Sequence, residues 1–242
     1  MHFAALIVTI ICTVANAFLF TPPSYSNALF PRPQDILERP STYIGLDKIH
    51  YDPADEATRH FDTYPFLLTQ ISEADPSRVW DDDALQRFTK IGSVSPEIRH
   101  FEVTPEVSSI AQFRAVDYGY ERCSLHFAFE GFTDTNGELT TNTTLNVWML
   151  DAGHRLQPSS LSWQTRPRRK DFMGTVSLLP RTSVFMAEWE CRWGEFFTFE
   201  LACAQRDDQS DSGCHVELWQ NPRNNLLGIF LRQRSSLTGV AL

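Results

Sequence analysis

The chain has 242 residues and a formal net charge of −9, from 30 acidic and 21 basic side chains. That balance argues against nucleic acid or an anionic membrane as partner, because both require a basic face. Twelve per cent aromatic residues and 14 prolines against 11 glycines suit a β-sandwich better than a helical bundle. Residues 2–17 carry no charge apart from His2, and the apolar run ends in the small-x-small pattern Ala15-Asn16-Ala17. The run is too short for a bilayer span, which takes ~20 apolar residues. Residues 1–17 therefore read as a signal peptide cleaved after Ala17. An uncleaved anchor is the alternative, since no Lys or Arg precedes the run. The expected location is secreted, extracellular or in a cell wall, with no membrane span after cleavage.

Residues 18–42 hold Pro22, Pro23, Pro31, Pro33 and Pro40. This density blocks helix and central strand, so the segment is expected to be an extended arm, either a tether or a strap. From Tyr43 short apolar runs alternate with turn clusters, the pattern of an all-β domain. The domain is expected over 43–234, with a tail at 235–242. Predicted strands are 43–49, 64–71, 88–94, 99–104, 108–117, 122–130, 144–150, 172–178, 183–192, 195–204, 214–220 and 226–232. Only Pro76–Arg87 and Pro158–Ser162 suggest short helical pieces. The expected fold is all-β, an antiparallel two-sheet sandwich, jelly-roll-like, with disulfides.

Loss of the signal peptide removes Cys12 and leaves Cys123, Cys191, Cys203 and Cys214, an even number in a secreted chain. Alternation along each strand places Cys123 with Leu125 and Phe127, and Cys191 with Phe185, Ala187 and Trp189. It places Cys203 with Phe199 and Leu201, and Cys214 with Val216 and Leu218. All four thiols then face one apolar layer. Strands 183–192 and 195–204 read as a hairpin about Trp193-Gly194, which puts Cys203 too far from Cys191 for the ~7 Å limit. The expected pairs are Cys203–Cys214, across the loop 204–213, and Cys123–Cys191. Asn142-Thr143-Thr144 is the sequon for N-glycosylation.

The nucleophile elbow, HExxH, P-loop and GxGxxG patterns are missing. The histidines at 50, 60, 100, 126, 154 and 215 lack metal-ligand spacing. Asp81-Asp82-Asp83 and Asp207-Asp208-x-x-Asp211 lack EF-hand spacing and read as charged loop tips. Neither a metal nor a cofactor is expected. The basic run Arg166-Pro167-Arg168-Arg169-Lys170 reads as a solvated loop.

Glu188, Glu190, Glu200 and Glu217 face away from the apolar layer, as do His126 and Trp219. In the predicted hairpin Glu188 lies beside Glu200, the arrangement a glycosidase requires of two carboxylates. A solvated polar sheet face accounts for the same alternation. Trp80, Trp148, Trp163, Trp193 and Trp219 are candidates for stacking on sugar rings. Trp193, at the hairpin tip, and Trp219 are the expected ligand-binding residues. The functional expectation is a non-catalytic extracellular protein that binds a glycan or cell-wall polymer. Its rivals are a polysaccharide-active enzyme, glycosidase or lyase, built on Glu188 with Glu200 or Glu190, and an extracellular protein-interaction module. Composition does not give the oligomeric state.

Six stretches carry a resemblance. They are residues 43–49 (YIGLDKI), 75–78 (DPSR), 112–123 (QFRAVDYGYERC), 147–151 (VWMLD), 161–163 (LSW) and 214–219 (CHVELW). Over residues 43–232 the chain resembles a family of secreted basidiomycete proteins, some of them similar to the C-terminal domain of a fungal binding protein for a ubiquitin-like modifier. The resemblance implies no reaction and no catalytic residue. A ubiquitin-related role conflicts with a signal peptide and two disulfides, so the label implies shared fold ancestry and not activity.

Overall fold

A computed structural model describes Gly45 and residues 59–81, 83, 85–95, 97–130, 137–139, 143–204, 214–223 and 227–236. The chain divides into Met1–Ile44 and Gly45–Leu242, and the described residues belong to the second unit. The predicted signal peptide, the proline-rich arm, strand 43–49 apart from Gly45, Asn142 and the acidic loop 207–211 lie outside the described residues.

Among the described residues there are fifteen short strands. They are β1 (His60–Thr63), β2 (Leu67–Ser72), β3 (Arg87–Thr89), β4 (Gly92–Val94), β5 (Arg99–Val103), β6 (Val107–Arg114), β7 (Arg122–Ala128) and β8 (Gly137–Leu139). Then follow β9 (Thr143–Leu150), β10 (Arg169–Leu178), β11 (Ser183–Phe185), β12 (Trp189–Glu190), β13 (Phe196–Cys203), β14 (Val216–Gln220) and β15 (Gly228–Arg234). One antiparallel sheet has the order β10-β9-β13-β6-β2, and a second has β1-β15-β7-β11 with β12 also on β7. A third sheet runs β5-β14-β8, and β3 and β4 form a separate hairpin. The expected all-β, disulfide-linked architecture holds. The helical expectation at 76–87 does not, because no helix forms there among the described residues. At 158–162 a single 3-10 turn, Pro158–Ser160, is present.

Alternation explains the packing. On β7, Cys123, Leu125 and Phe127 enter the core, while Ser124 and His126 point the other way. Phe199 and Leu201 of β13, Leu145 and Val147 of β9, and Ile229 and Leu231 of β15 fill the same cluster, with Phe101 and Leu218 from the third sheet. These sheets enclose one apolar layer, as in an antiparallel sandwich.

The third sheet is spliced to the second by a side chain. Gln220 Nε2 donates to the Ile229 carbonyl and its Oε1 accepts from the Ile229 N–H, both at 2.8 Å. This replaces a rung of backbone pairing. It also requires glycine at 228, where φ is +127° and a Cβ lies 2.6 Å from the Gln220 side chain.

The outer face of the β2-β6-β9-β13 region is not solvated. A second apolar cluster of Leu67, Ile71, Ile110, Leu150, Ala152, Leu156 and Leu161 covers it, with Phe66 and Trp163 packed alongside. Gln112 fastens the covering segment. Its Nε2 donates to the His154 carbonyl at 2.8 Å, and its Oε1 accepts from the Leu156 N–H at 2.9 Å.

Both disulfides are present. Cys123–Cys191 has Cα atoms 5.8 Å apart and Cys203–Cys214 has them 6.0 Å apart. The route to them differs from the predicted hairpin. β11 and β12 both pair with β7, whereas β13 pairs with β6 and β9. The chain thus crosses between layers at Trp193-Gly194. The stretch 183–192 is also not one strand. Met186 is buried, and after the break Trp189 and Cys191 face inward, so Phe185 and Ala187 fall on the opposite face. Phe185 is accordingly 64% exposed.

The bridges span 68 and 11 residues. Chain-entropy scaling assigns them about 4 and about 3 kcal/mol of constraint on the unfolded state. Replacing Cys123 and Cys191 together by alanine is therefore expected to lower the urea-unfolding free energy more than replacing Cys203 and Cys214, when the pairs are compared at one temperature.

Candidate functional site

The predicted carboxylates separate. Glu200 sits on β13 opposite Ile110 and Trp148, on the face away from Leu201, and is fully buried. Arg169, at the start of β10, donates to both of its oxygens, Nε to Oε2 at 3.1 Å and Nη2 to Oε1 at 2.7 Å. Arg166 Nε lies 3.4 Å from the same Oε2. The hydrogen bond to Glu200 holds the Arg169 guanidinium pKa above its ordinary value. Glu200 thus anchors the segment that covers the sheet. The run read as a solvated basic loop delivers two of its arginines to this anchor.

Glu188 is not a neighbour of Glu200. It lies just before β12, at the edge of the other sheet, where Arg122 Nε of β7 donates to its Oε1 at 2.6 Å. Glu190 pairs opposite Arg122 in register and lies 3.9 Å from Arg192. With Glu121, Arg122, Trp189 and Ser236 they line a cleft of about 540 Å³. Glu121 accepts from the Gly119 N–H and from the Ser236 hydroxyl. The structure therefore joins two of the three predicted glutamates and replaces the third with Glu121. Glu121 was legible only through the Cys123–Cys191 bridge, which brings residues 121–123 beside 188–191. Among the described residues no group of His, Cys, Asp or Glu is arranged to hold a metal ion. Nor is any described helix long and apolar enough to cross a membrane.

The tryptophans sort by their neighbours. Arginine guanidinium carbons lie over Trp80 at 4.2 Å, Trp148 at 5.0 Å, Trp163 at 3.6 Å and Trp193 at 5.9 Å. Such contacts occupy the ring face by cation–π attraction. Trp193, predicted to be an exposed tip, is half-buried beneath Arg114. Trp189 packs on Phe197 and Phe199. Trp219 alone among the described tryptophans is exposed, at 39%.

Strand alternation puts Trp219 and Glu217 of β14 outward, beside His100 and Glu102 of β5, because Leu218, Val216, Phe101 and Val103 take the inward positions. Trp219 lies directly opposite His100, with ring centroids 4.8 Å apart. Glu217 lies directly opposite Glu102. Like charges opposed across a strand pair are destabilising. His100 Nε2 offsets the repulsion in part by binding Glu217 Oε1 at 2.8 Å. The result is an aromatic plate edged by two carboxylates, one of them held in place.

His126, expected to face solvent beside Trp219, is buried on a different sheet. It stacks between Phe185 (5.4 Å) and Phe230 (5.2 Å), and its Nε2 bonds Ser124 Oγ at 2.9 Å. Burial, reinforced by the nearby Arg232, Arg234 and His60 and opposed by Asp62, pushes its pKa down to about 4. Between that value and the ordinary ~6.5, the unfolded chain binds a proton that the folded chain refuses. The neutral ring's contribution is complete above pH ~6.5 and is lost as pH falls toward 4, on the order of 3 kcal/mol in all.

The urea midpoint should fall between pH 7 and pH 4.5, and His126→Phe, which keeps the stack without the titrating nitrogen, should remove much of that fall. Glu200→Gln removes the charge that Arg169 and Arg166 share and should cost roughly 2–3 kcal/mol of stability, read by the same denaturation.

No curated protein matches the chain. A family model described as the Ubiquitin 3 binding protein But2 C-terminal domain matches residues 63–211. The match runs from the last residue of β1 past β13, and takes in Cys123, Cys191, Cys203 and the acidic cleft strands but stops short of Trp219. It covers more than half of the sequence, and the chain belongs to the But2 C-terminal domain family.

Proposed function

We propose that the protein is a secreted, non-catalytic β-sandwich that binds a glycan or cell-wall polymer on the outer face of β5 and β14. The carrying observation is Trp219. It is the one exposed tryptophan among the described residues; His100 packs on one side of its ring, and no described arginine lies over it. An indole face receives the apolar face of a sugar ring. The adjoining carboxylates of Glu217 and Glu102 accept hydrogen bonds from sugar hydroxyls, and charge-assisted bonds of this kind are the stronger ones. An opposed glutamate pair weakens the fold, and binding explains keeping it. Two disulfides support an oxidising, extracellular setting. For that reason the ubiquitin-related activity in the family's description is not carried over to this chain. The matched range also ends before Trp219, so this reading draws on residues of the chain itself.

Against the enzymatic rival stand the partners of the glutamates. Glu200 is consumed by two arginines, and Glu188 by Arg122. A general acid or nucleophile must instead be free to meet substrate.

The test is a pull-down on insoluble chitin, β-glucan, cellulose and mannan, with reducing sugar assayed in the same tubes. Binding without sugar release is expected. Trp219→Ala should weaken it about tenfold or more, and Trp193→Ala should leave it largely unchanged. Sugar release that disappears with Glu188→Gln or Glu190→Gln makes the protein an enzyme.

A further inference from the structure

Negative charge crosses the third sheet in a row. Glu217 of β14 pairs in register with Glu102 of β5, and Glu138 of β8 takes the register position opposite Glu217 on its other side. Three glutamate positions thus lie side by side on three adjacent strands, spaced about 4.8 Å apart. The other outward places on β5 and β14 belong to His100 and Trp219, so no lysine or arginine shares that face of these two strands. Arg99 falls on the opposite face and binds Asp83. The Glu102 carboxylate has no hydrogen bond or ion pair among the described residues. His100 holds one oxygen of Glu217, and Oε2 is left without a described partner on a side chain 39% exposed. His100 packs on one side of the Trp219 ring.

We propose that this face selects a polymer of amino sugars with free, protonated amines over neutral glycans. The inference rests on the Trp219 face being a glycan site and adds the charge of the ligand. What a ligand does to the glutamates decides its class. A neutral chain laid over Trp219 strips water from the carboxylates and lowers the local dielectric, so their mutual repulsion grows. Hydroxyl donors satisfy the oxygens and leave the charge uncompensated. A protonated amine donates to a carboxylate and cancels the repulsion in one contact, and hydrogen bonds between ions are the stronger kind. Trp219 favours the same ligand, because an indole face attracts a cation as well as stacking on the apolar face of a pyranose. The net charge of −9 adds long-range attraction for a polycation. A cationic peptide also meets the carboxylates, but its long side chains lose rotamer entropy on ordering, whereas a pyranose carries its amine on a rigid ring.

Isothermal titration calorimetry of the full chain tests it, comparing a glucosamine hexamer with an N-acetylglucosamine hexamer in mildly acidic buffer, where the free amines are charged. The free-amine hexamer should bind about tenfold or more tightly. Glu102→Gln and Glu217→Gln should each remove most of that preference, and Trp219→Ala should weaken both hexamers. Glu102→Gln also relieves a repulsion, so its urea midpoint should be unchanged or higher, which separates lost binding from lost folding. Equal or reversed affinities for the two hexamers, both dependent on Trp219, overturn the charge selection and leave the glycan reading standing. Binding of neither hexamer overturns both. Free-amine binding that survives Glu102→Gln and Glu217→Gln is attraction to the net charge of the chain and overturns the proposal. A lysine hexapeptide that binds as tightly as the glucosamine hexamer, with the same dependence on Trp219, makes the face a receptor for cationic peptide and overturns it too.

Discussion

A carboxylate with no exposure to water organises one whole side of this protein. Left unpaired, Glu200 is too costly to bury. Arg169 and Arg166 therefore have to reach it, and both come from the end of the segment that lies over the sheet. Once they do, Leu156 and Leu161 close on Leu67, Ile71 and Ile110. The β2, β6 and β13 part of that sheet then has two dry faces instead of one. Gln112 follows the same logic. A buried amide must find partners, and it finds them in the backbone of the covering segment.

The second sheet meets the same constraint with aromatic rings. His126 is kept neutral by burial between Phe185 and Phe230, and its ring nitrogen is used by Ser124. Arg232, bound through two nitrogens to Asp62, flanks the stack. Gln233 carries the pattern along β15, bonding the backbone of Val116 and Tyr120. Several polar side chains that alternation points outward are thus recruited as fasteners.

The two surfaces differ in kind. The Trp219 face is aromatic and acidic, and its residues come from adjacent strands of the small third sheet. The cleft is concave, and its residues come from segments brought together by the Cys123–Cys191 bridge.

The sequence alone determined the all-β class, the approximate position of most strands and the inward face of every disulfide cysteine. Period-two alternation is a local property, readable wherever one side of a strand is apolar. It also exposed Trp219, since Val216 and Leu218 leave it no inward place. Alternation does not say which strand is whose neighbour. Adjacent segments in sequence, 183–192 and 195–204, looked like a hairpin, yet the chain crosses between layers at Trp193-Gly194. That crossing put Glu188 beside Arg122 and gave Glu200 to Arg169. Nor does alternation say whether an outward face meets water. Only the tertiary structure decided that, because covering a face depends on a distant segment with the charge to neutralise what it buries.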